Sequence, residues 1–472
     1  MQRHPSPGPA LRFDNPASID RQTPDRVDPA SLIAWYRRNR ERSRALFDLL
    51  AGDEVFSRQP IPLRHPFIFY EGHVPAFSFS TLVRRALGGE AIDERLETLF
   101  ARGIDPPTDP SPGSPADGRS HGDSWPDRPV VRAFAAEADA RVLRALEDAD
   151  LDRPGHPLLD RAEAAFVILE HEAMHQETLL YMLHRLDFPL KRRPGGASAA
   201  IDASSRAPRQ EWIEIPAGRA TLGVDRAAAR FTWDNECPSH VARVPAFAIE
   251  RHDVTNAAFM EFVQAGGYEQ QRFWRADDWE WIRRERIRHP LFWEAQDGSW
   301  FWRGMFERVP LPEAWPVFVT HAEASAYARW RGARLPTEAE FQRAAYGAPD
   351  GSERRYPWGE AAPDASRGVF DFAAFDPQPV GSHPAGRSAS GVDDLVGNGW
   401  EWTSTPFAPF PGFAERASYP QYSSDFFDGA HYVMKGASPA TARELLRPTF
   451  RNWFRPRYPY VYATFRCARG GA

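Results

Sequence analysis

The feature that most constrains this chain is a change of pattern near residue 190. Before it, apolar residues recur at helical spacing; after 211 they fall into short β-type runs broken by turns. Between the two, Lys191 to Gln210 (KRRPGGASAAIDASSRAPRQ) has the composition of a flexible linker. The expected organisation is therefore a helical bundle over 28–190, a linker over 191–210 and an irregular α+β domain over 211–470. With 472 residues, 42% of them hydrophobic, each part is long enough to bury its own core.

In the first part four apolar segments suggest an antiparallel four-helix bundle: Ser31 to Leu50, Phe67 to Ala86, Val130 to Leu146 and Pro157 to Leu186. In the first of these, Leu32, Trp35, Tyr36, Leu46 and Leu49 form the stripe, and Arg and Glu are assigned to the solvent face. Asp105 to Pro129 is dense in Pro, Gly, Asp and Ser and is too long for an ordinary connection, which marks a lid or a disordered stretch. In the second part, strands are expected at Trp212 to Ile215, Ala220 to Gly223 and His240 to Ile249. Two helices follow, each opened by a capping box, Thr320 to Glu323 and Thr337 to Glu340.

The 58 basic and 64 acidic residues are spread along the chain, leaving no basic patch for nucleic acid or an anionic membrane and favouring small-molecule substrates. No apolar run approaches the roughly 20 residues that span a bilayer, and Met1 to Ala30 has no apolar signal core, so a cytoplasmic protein is expected. The only cysteines are Cys237 and Cys467, far apart. Any metal must therefore be held by His and carboxylate.

The sharpest chemical signal is His171-Glu-Ala-Met-His175-Gln-Glu177, inside the fourth helical segment. At helical spacing His171 and His175 lie about 40° apart on one face, as two ligands of one metal require. Glu172 and Glu177 fall about 80° and 140° from that direction, so neither is a natural third ligand. Three readings compete: a pair of core histidines, a zinc peptidase with Glu172 of His171-Glu-x-x-His175 as general base, and a facial iron site completed from another helix. The peptidase reading lacks a third ligand in the expected place downstream. For the iron site the third ligand is His65 or His73. His65 precedes Pro66 and sits in a turn, which favours His73. His184, about 180° round the helix from His175, is out of reach.

With these residues in hand, the chain resembles the hercynine-processing sulfoxide synthases of ergothioneine biosynthesis. That family joins a DinB-like four-helix bundle to a formylglycine-generating-enzyme-like domain of C-type-lectin type. His73, His171, His175 and Glu177 occupy its pattern of a His followed by His-x3-His-x-Glu. Arg334-Leu-Pro-Thr-Glu-Ala-Glu-Phe341, Tyr356-Pro-Trp-Gly359, Gly397-Asn-Gly-Trp-Glu-Trp-Thr403 and Phe465-Arg-Cys-Ala-Arg469 resemble the second domain's signatures in order. The resemblance implies Fe(II) on His73, His171 and His175, with O2 as co-substrate and hercynine (trimethylhistidine) as acceptor. Formylglycine-generating enzymes proper bind copper through two late cysteines; only Cys467 is present here.

The departures from the family concern the donor. After Phe450-Arg-Asn452-Trp453 the family places an Asp and an Arg that clamp γ-glutamylcysteine, where this chain has Phe454 and Tyr458. A charged donor would lose its partners. Asn452 and Trp453 persist, and the resemblance assigns them to the trimethylammonium end of hercynine. Aromatic rings in place of an ion clamp suit a sugar, which points to the selenoneine-forming branch, whose donor is a selenosugar; a thiol donor is the alternative. Met174 stands where the family has a hercynine-contacting Gln. Tyr419 and Tyr422 match the tyrosine-bearing segment, with Tyr419 at the proton-donor position and Tyr422 on the substrate side.

Overall fold

The computed structural model describes residues 28–101, 125–195 and 205–470, so most of the 105–129 segment and the middle of the 191–210 linker lie outside it. Helix α1 (Pro29–Phe47) starts on Asp28, whose carboxylate accepts from the Ala30 and Ser31 amides. Helix α2 (Phe67–Ser78) carries His73. Its Pro75 withholds a backbone N–H, and from Phe79 to Ala86 the helix continues in a wider, π-type coil. A short α3 (Glu94–Leu99) precedes α4 (Arg128–Asp148). Arg128 and Pro129, expected in the loop, form the first turn of α4, where proline is well tolerated. Helix α5 (Glu163–Arg185) starts later than the pattern from Pro157 suggested, after Arg161 and Ala162, both at φ 57°.

The polar face of α1 is the main correction in this half. Arg40 and Arg42 are buried rather than solvated. Arg40 bridges Asp139 on α4 and Glu172 on α5, while Arg42 reaches Gln176 on α5 and Asp371 of the second half. A buried guanidinium is tolerated only with such partners. Helix α5 is buried on nearly its whole circumference, because the bundle covers one side and the second half covers the other.

In the second half β1 (Trp212–Ile215), β2 (Gly218–Leu222), β3 (His240–Val244) and β4 (Phe247–Glu250) follow in order. The single strand expected over 240–249 is broken at Pro245, which cannot donate to a ladder. As a result β3 pairs with β2, whereas β4 pairs with β1. Helices α6 (Asn256–Gln264) and α7 (Ala276–Arg284) were not expected from the sequence: Thr255 caps α6, but the residue three beyond it is Ala258, so no capping box marks it, and α7 opens on Asp277 and Asp278 without one. A β5–β6–β7 sheet (Trp293–Gln296, Ser299–Arg303, Arg308–Pro310) comes next. Helices α8 (His321–Trp330) and α9 (Glu338–Tyr346) carry the two expected capping boxes.

The remaining strands are β8 (Gly399–Pro406), β9 (Tyr432–Ala437), β10 (Asn452–Phe454), β11 (Ala463–Thr464) and β12 (Ala468–Gly470). They form a four-stranded sheet in the order β10-β9-β8-β11 and a three-stranded sheet β1-β4-β12. Trp293, Trp302, Trp400 and Trp402 are almost completely buried, so much of the aromatic content is core. Lys191, assigned by composition to a flexible linker, is instead buried, its ammonium donating to the carbonyls of His184 and Met305. Among the described residues no helix is long and apolar enough to cross a membrane.

Candidate metal centre and the aromatic groups beside it

Helix α5 presents His171 and His175 one turn apart, and α2 brings His73 to face them. The Nε2 of His175 lies 3.2 Å from that of His73 and 3.1 Å from that of His171. The Nδ1 of His73 donates to the Phe100 carbonyl at 2.7 Å, which leaves its Nε2 as a bare lone pair aimed into the cluster. Gly72 makes that contact possible: a Cβ there would lie 2.5 Å from the Phe100 ring. Phe77 stacks on the His171 ring at 3.5 Å and Phe69 on His73 at 5.0 Å, fixing both imidazoles.

Burial pushes all three imidazoles below their ordinary basicity, His73 to about 4. Each is thus neutral, as a metal ligand must be. Three mutually facing Nε2 atoms cannot all be satisfied by one another, and the Nδ1 atoms of His171 and His175 are buried without partners. These residues fit a metal ion: His73, His171 and His175 could hold one. His65 is not in the group; its ring lies tilted against Phe69 at 4.2 Å. His184 is likewise elsewhere, on the Arg303 carbonyl at 2.6 Å and the Tyr462 hydroxyl.

The two glutamates of the motif point away from the cluster, as helical geometry predicted. Glu172 is fully buried against α1, accepting from Arg40 at 2.7 Å and the Ser43 hydroxyl at 2.6 Å. A carboxylate locked in that way cannot serve as base to a metal-bound water, and the zinc-peptidase reading of His171-Glu172-x-x-His175 falls. Glu177 turns to the second half, where it accepts from Trp400 Nε1 at 2.8 Å, the Ser438 hydroxyl at 2.6 Å and the Thr441 hydroxyl at 3.1 Å.

The cluster is open along one edge of α5, where Met174, His175 and Thr178 are half-buried while their neighbours are buried. Two groups of aromatic side chains lie beside this edge. In the first, the Tyr422 hydroxyl donates to the Met174 sulfur at 3.2 Å, and its ring stacks on Trp233 at 3.9 Å. Trp453 lies 5.3 Å from Tyr422, backed by Phe407 at 4.2 Å and nearly parallel to it. Burial, together with the charges of Asp234, Glu236 and Glu170, holds the Tyr422 phenol protonated, well above its usual range. Tyr419 sits closer to the ligands, its ring 6.3 Å from His171 and 5.6 Å from Tyr422. Asn452 shares β10 with Trp453, its side chain turned to the Trp453 amide at 2.9 Å.

In the second group Phe454 and Tyr458 stack at 5.0 Å. Sequence reasoning treated this pair as uncharged surroundings, but Arg64 reaches it from the helical half. The Arg64 Nε donates to the Tyr458 hydroxyl at 2.9 Å, and the guanidinium lies 5.4 to 5.9 Å from the rings of Tyr458, Tyr181 and Phe454. Its charge contributes, after burial and the influence of His73, to the lowered basicity of His175. Arg64 went unnoticed because it stands 394 residues from Tyr458 and no local pattern marks it. Tyr70, 5.6 Å from His175, and Trp233 were missed for the same reason.

A helical bundle with three converging histidines, docked on an aromatic-rich α+β domain, defines the class. The DinB superfamily model matches residues 36–179, and the sulfatase-modifying factor enzyme 1-like domain matches residues 197–470. Hercynine oxygenase from Mycolicibacterium thermoresistibile is 40% identical over 357 residues, 72% of this chain and 74% of that protein. Hercynine oxygenase from Mycobacterium tuberculosis is 39% identical over 314 residues, 64% of this chain and 70% of that one. Ergothioneine biosynthesis protein 1 from Neurospora crassa is 27% identical over 493 residues, 88% of this chain and 55% of that one. The chain belongs to the hercynine oxygenase family, in which a DinB-like bundle precedes a sulfatase-modifying-factor domain.

Proposed function

We propose that this protein is an Fe(II)- and O2-dependent enzyme that joins the selenium of a selenosugar to the imidazole of hercynine. The observation that carries the reading is the convergence of the His73, His171 and His175 Nε2 atoms beside two groups of aromatic side chains. When bound, Fe(II) supplies the activation of O2. The residues around it do the rest.

Trp453 and Tyr422 offer ring faces to the trimethylammonium group, which cation–π attraction favours in a desolvated site. Asn452 lies on the same strand, and Met174 accepts from the Tyr422 hydroxyl beside it. Tyr419, the closer of the two tyrosines to His171, holds the proton delivered during the reaction, while Tyr422 positions hercynine. On the other side Phe454 and Tyr458 give a sugar ring an apolar face to stack on.

A second reading, a sulfoxide synthase using a thiol such as γ-glutamylcysteine, is favoured by the named relatives. An aerobic assay with Fe(II), hercynine and either a selenosugar, γ-glutamylcysteine or cysteine separates the two. Selenium-containing product from the selenosugar is expected; product from thiols alone would overturn the selenium assignment. Metal analysis giving zinc without iron in the active protein would overturn both.

A further inference from the structure

Tyr419 reaches the histidine triad from a loop of the second half, and the hold on that loop comes from the two helices that carry the triad. Arg85 lies in the π-type coil that continues α2 beyond His73. Its guanidinium donates to the Ala417 carbonyl at 2.8 Å and to the Ser418 carbonyl at 3.1 Å. Glu163 is the first residue of α5, set there by the left-handed backbone of Arg161 and Ala162, roughly two turns before His171. Its buried carboxylate accepts from the buried Ser418 hydroxyl at 2.9 Å and from Arg416 at 3.3 Å, and pairs with Arg226 at 2.7 Å. Residues 416–418 are thus gripped by their carbonyls from α2 and by their side chains from α5. Tyr419 is the next residue along, and its amide donates back to the Arg416 carbonyl at 3.2 Å. Its ring lies 5.3 Å from Phe77, the ring stacked on His171.

We infer that Glu163 and Arg85 are positioning residues for Tyr419, fixing its loop so that the helices bearing the histidines also set the place of the proton donor. The inference rests on the reading above that Tyr419 holds the proton delivered during the reaction. Proton transfer needs donor and acceptor within hydrogen-bond reach, so a shift of a fraction of an ångström in the loop is felt in the rate. A loop is by default the mobile part of a fold. Here Ser418 and Glu163, 255 residues apart in sequence, tie it to the same rigid helix that presents His171 and His175. Glu163 and Arg85 touch neither the histidine rings nor Tyr422 in any hydrogen bond of the described residues, so their influence passes through the backbone and side chains of 416–418.

The test compares S418A, R85M, E163A and E163Q with the wild type in the metal-loaded protein, each also in the Y419F background. S418A, R85M and E163A should each lower kcat by about tenfold while the hercynine KM stays within about twofold. E163Q, which keeps an acceptor oxygen for Ser418, should recover part of the loss. In the Y419F background the same substitutions should change kcat by less than about twofold, because a residue that acts only through Tyr419 has nothing left to act on. Equal losses in both backgrounds would mark a merely structural role and overturn the assignment, as would an unchanged kcat in S418A and R85M. Amide hydrogen exchange gives a readout without turnover. Peptides spanning 416–422 should exchange faster in S418A and R85M, with those spanning 168–178 of α5 unchanged; unaltered exchange at 416–422 would also overturn it. Should E163A not fold, S418A and R85M decide. Wild-type kcat in Y419F would overturn the proton-donor reading and this assignment with it, whereas a slow Y419F with additive losses would overturn this assignment alone.

Discussion

Glu172 shows how a single side chain can carry a misleading signature. Its position inside His171-Glu-x-x-His175 reads as a catalytic base, yet its carboxylate neutralises Arg40 inside the bundle. E172A should therefore lower stability by about 1–3 kcal/mol in urea unfolding, because it leaves the buried Arg40 with Asp139 alone and takes the acceptor of the Ser43 hydroxyl. Protein that remains folded should retain its hercynine chemistry. Tyr419 should behave in the opposite way: Y419F should keep the fold and the hercynine KM but reduce kcat by about 100-fold or more.

His321 gives a pH signature. Burial, only partly offset by its hydrogen bond to the Thr403 carbonyl, holds its imidazole down to about 3, so the folded chain keeps it neutral where the unfolded chain protonates it. Stability contributed by neutral His321 is thus unaffected above pH 7 and lost as pH falls below the ordinary value near 6.5. Relative to H321Q, the wild type should lose about 1.4 kcal/mol per pH unit between 6.5 and 5. A flat difference would show that His321 is not held neutral. The histidine pair itself was legible in the sequence because helical angles depend only on spacing. Arg64, Trp233 and Phe100 were not, since what they do depends on residues that only the fold brings near.

At the scale of elements, the metal site depends on how closely α2 approaches the chain after α3. G72A should displace the Phe100 ring and, with it, the carbonyl that orients His73. Ten- to hundredfold weaker Co(II) binding, with α2 still helical by circular dichroism, is the expected result for loss of such a supporting contact. The main helices and the two capping boxes could be read from periodicity and local chemistry. Two kinds of element could not. α6 and α7 open without a capping box, on the lone cap Thr255 and on the acidic pair Asp277 and Asp278, and the 240–249 run is divided between two sheets by Pro245. The burial of Arg40 and Arg42 was hidden for a related reason. An amphipathic pattern shows which face is polar, not whether a second layer covers it.

At the scale of the whole molecule, the two halves meet along α5 through buried charge. Arg447 binds Glu170 on α5 and Glu236 of the second half, and Trp233 also donates to Glu170 at 2.8 Å. R447A leaves two buried carboxylates without their cation and should cost about 3–5 kcal/mol, measured by urea unfolding.

Glu170 immediately precedes His171, and Glu177 follows His175 by two residues; both are gripped by the second half. The turn that would hold an ion is thus also the seam of the molecule, and ion binding and docking would share one free energy. By reciprocity, whatever factor docking adds to ion affinity, the ion adds to docking. A chelator should lower the melting temperature of the second half as well as the first, and E177A, which cuts the seam without touching a ligand, should weaken Co(II) binding. Separate, unshifted transitions in the two halves would show the ion and the seam to be independent. Otherwise the protein behaves as one equilibrium read from either end, in which losing the ion loosens the partner surface and parting the surfaces releases the ion.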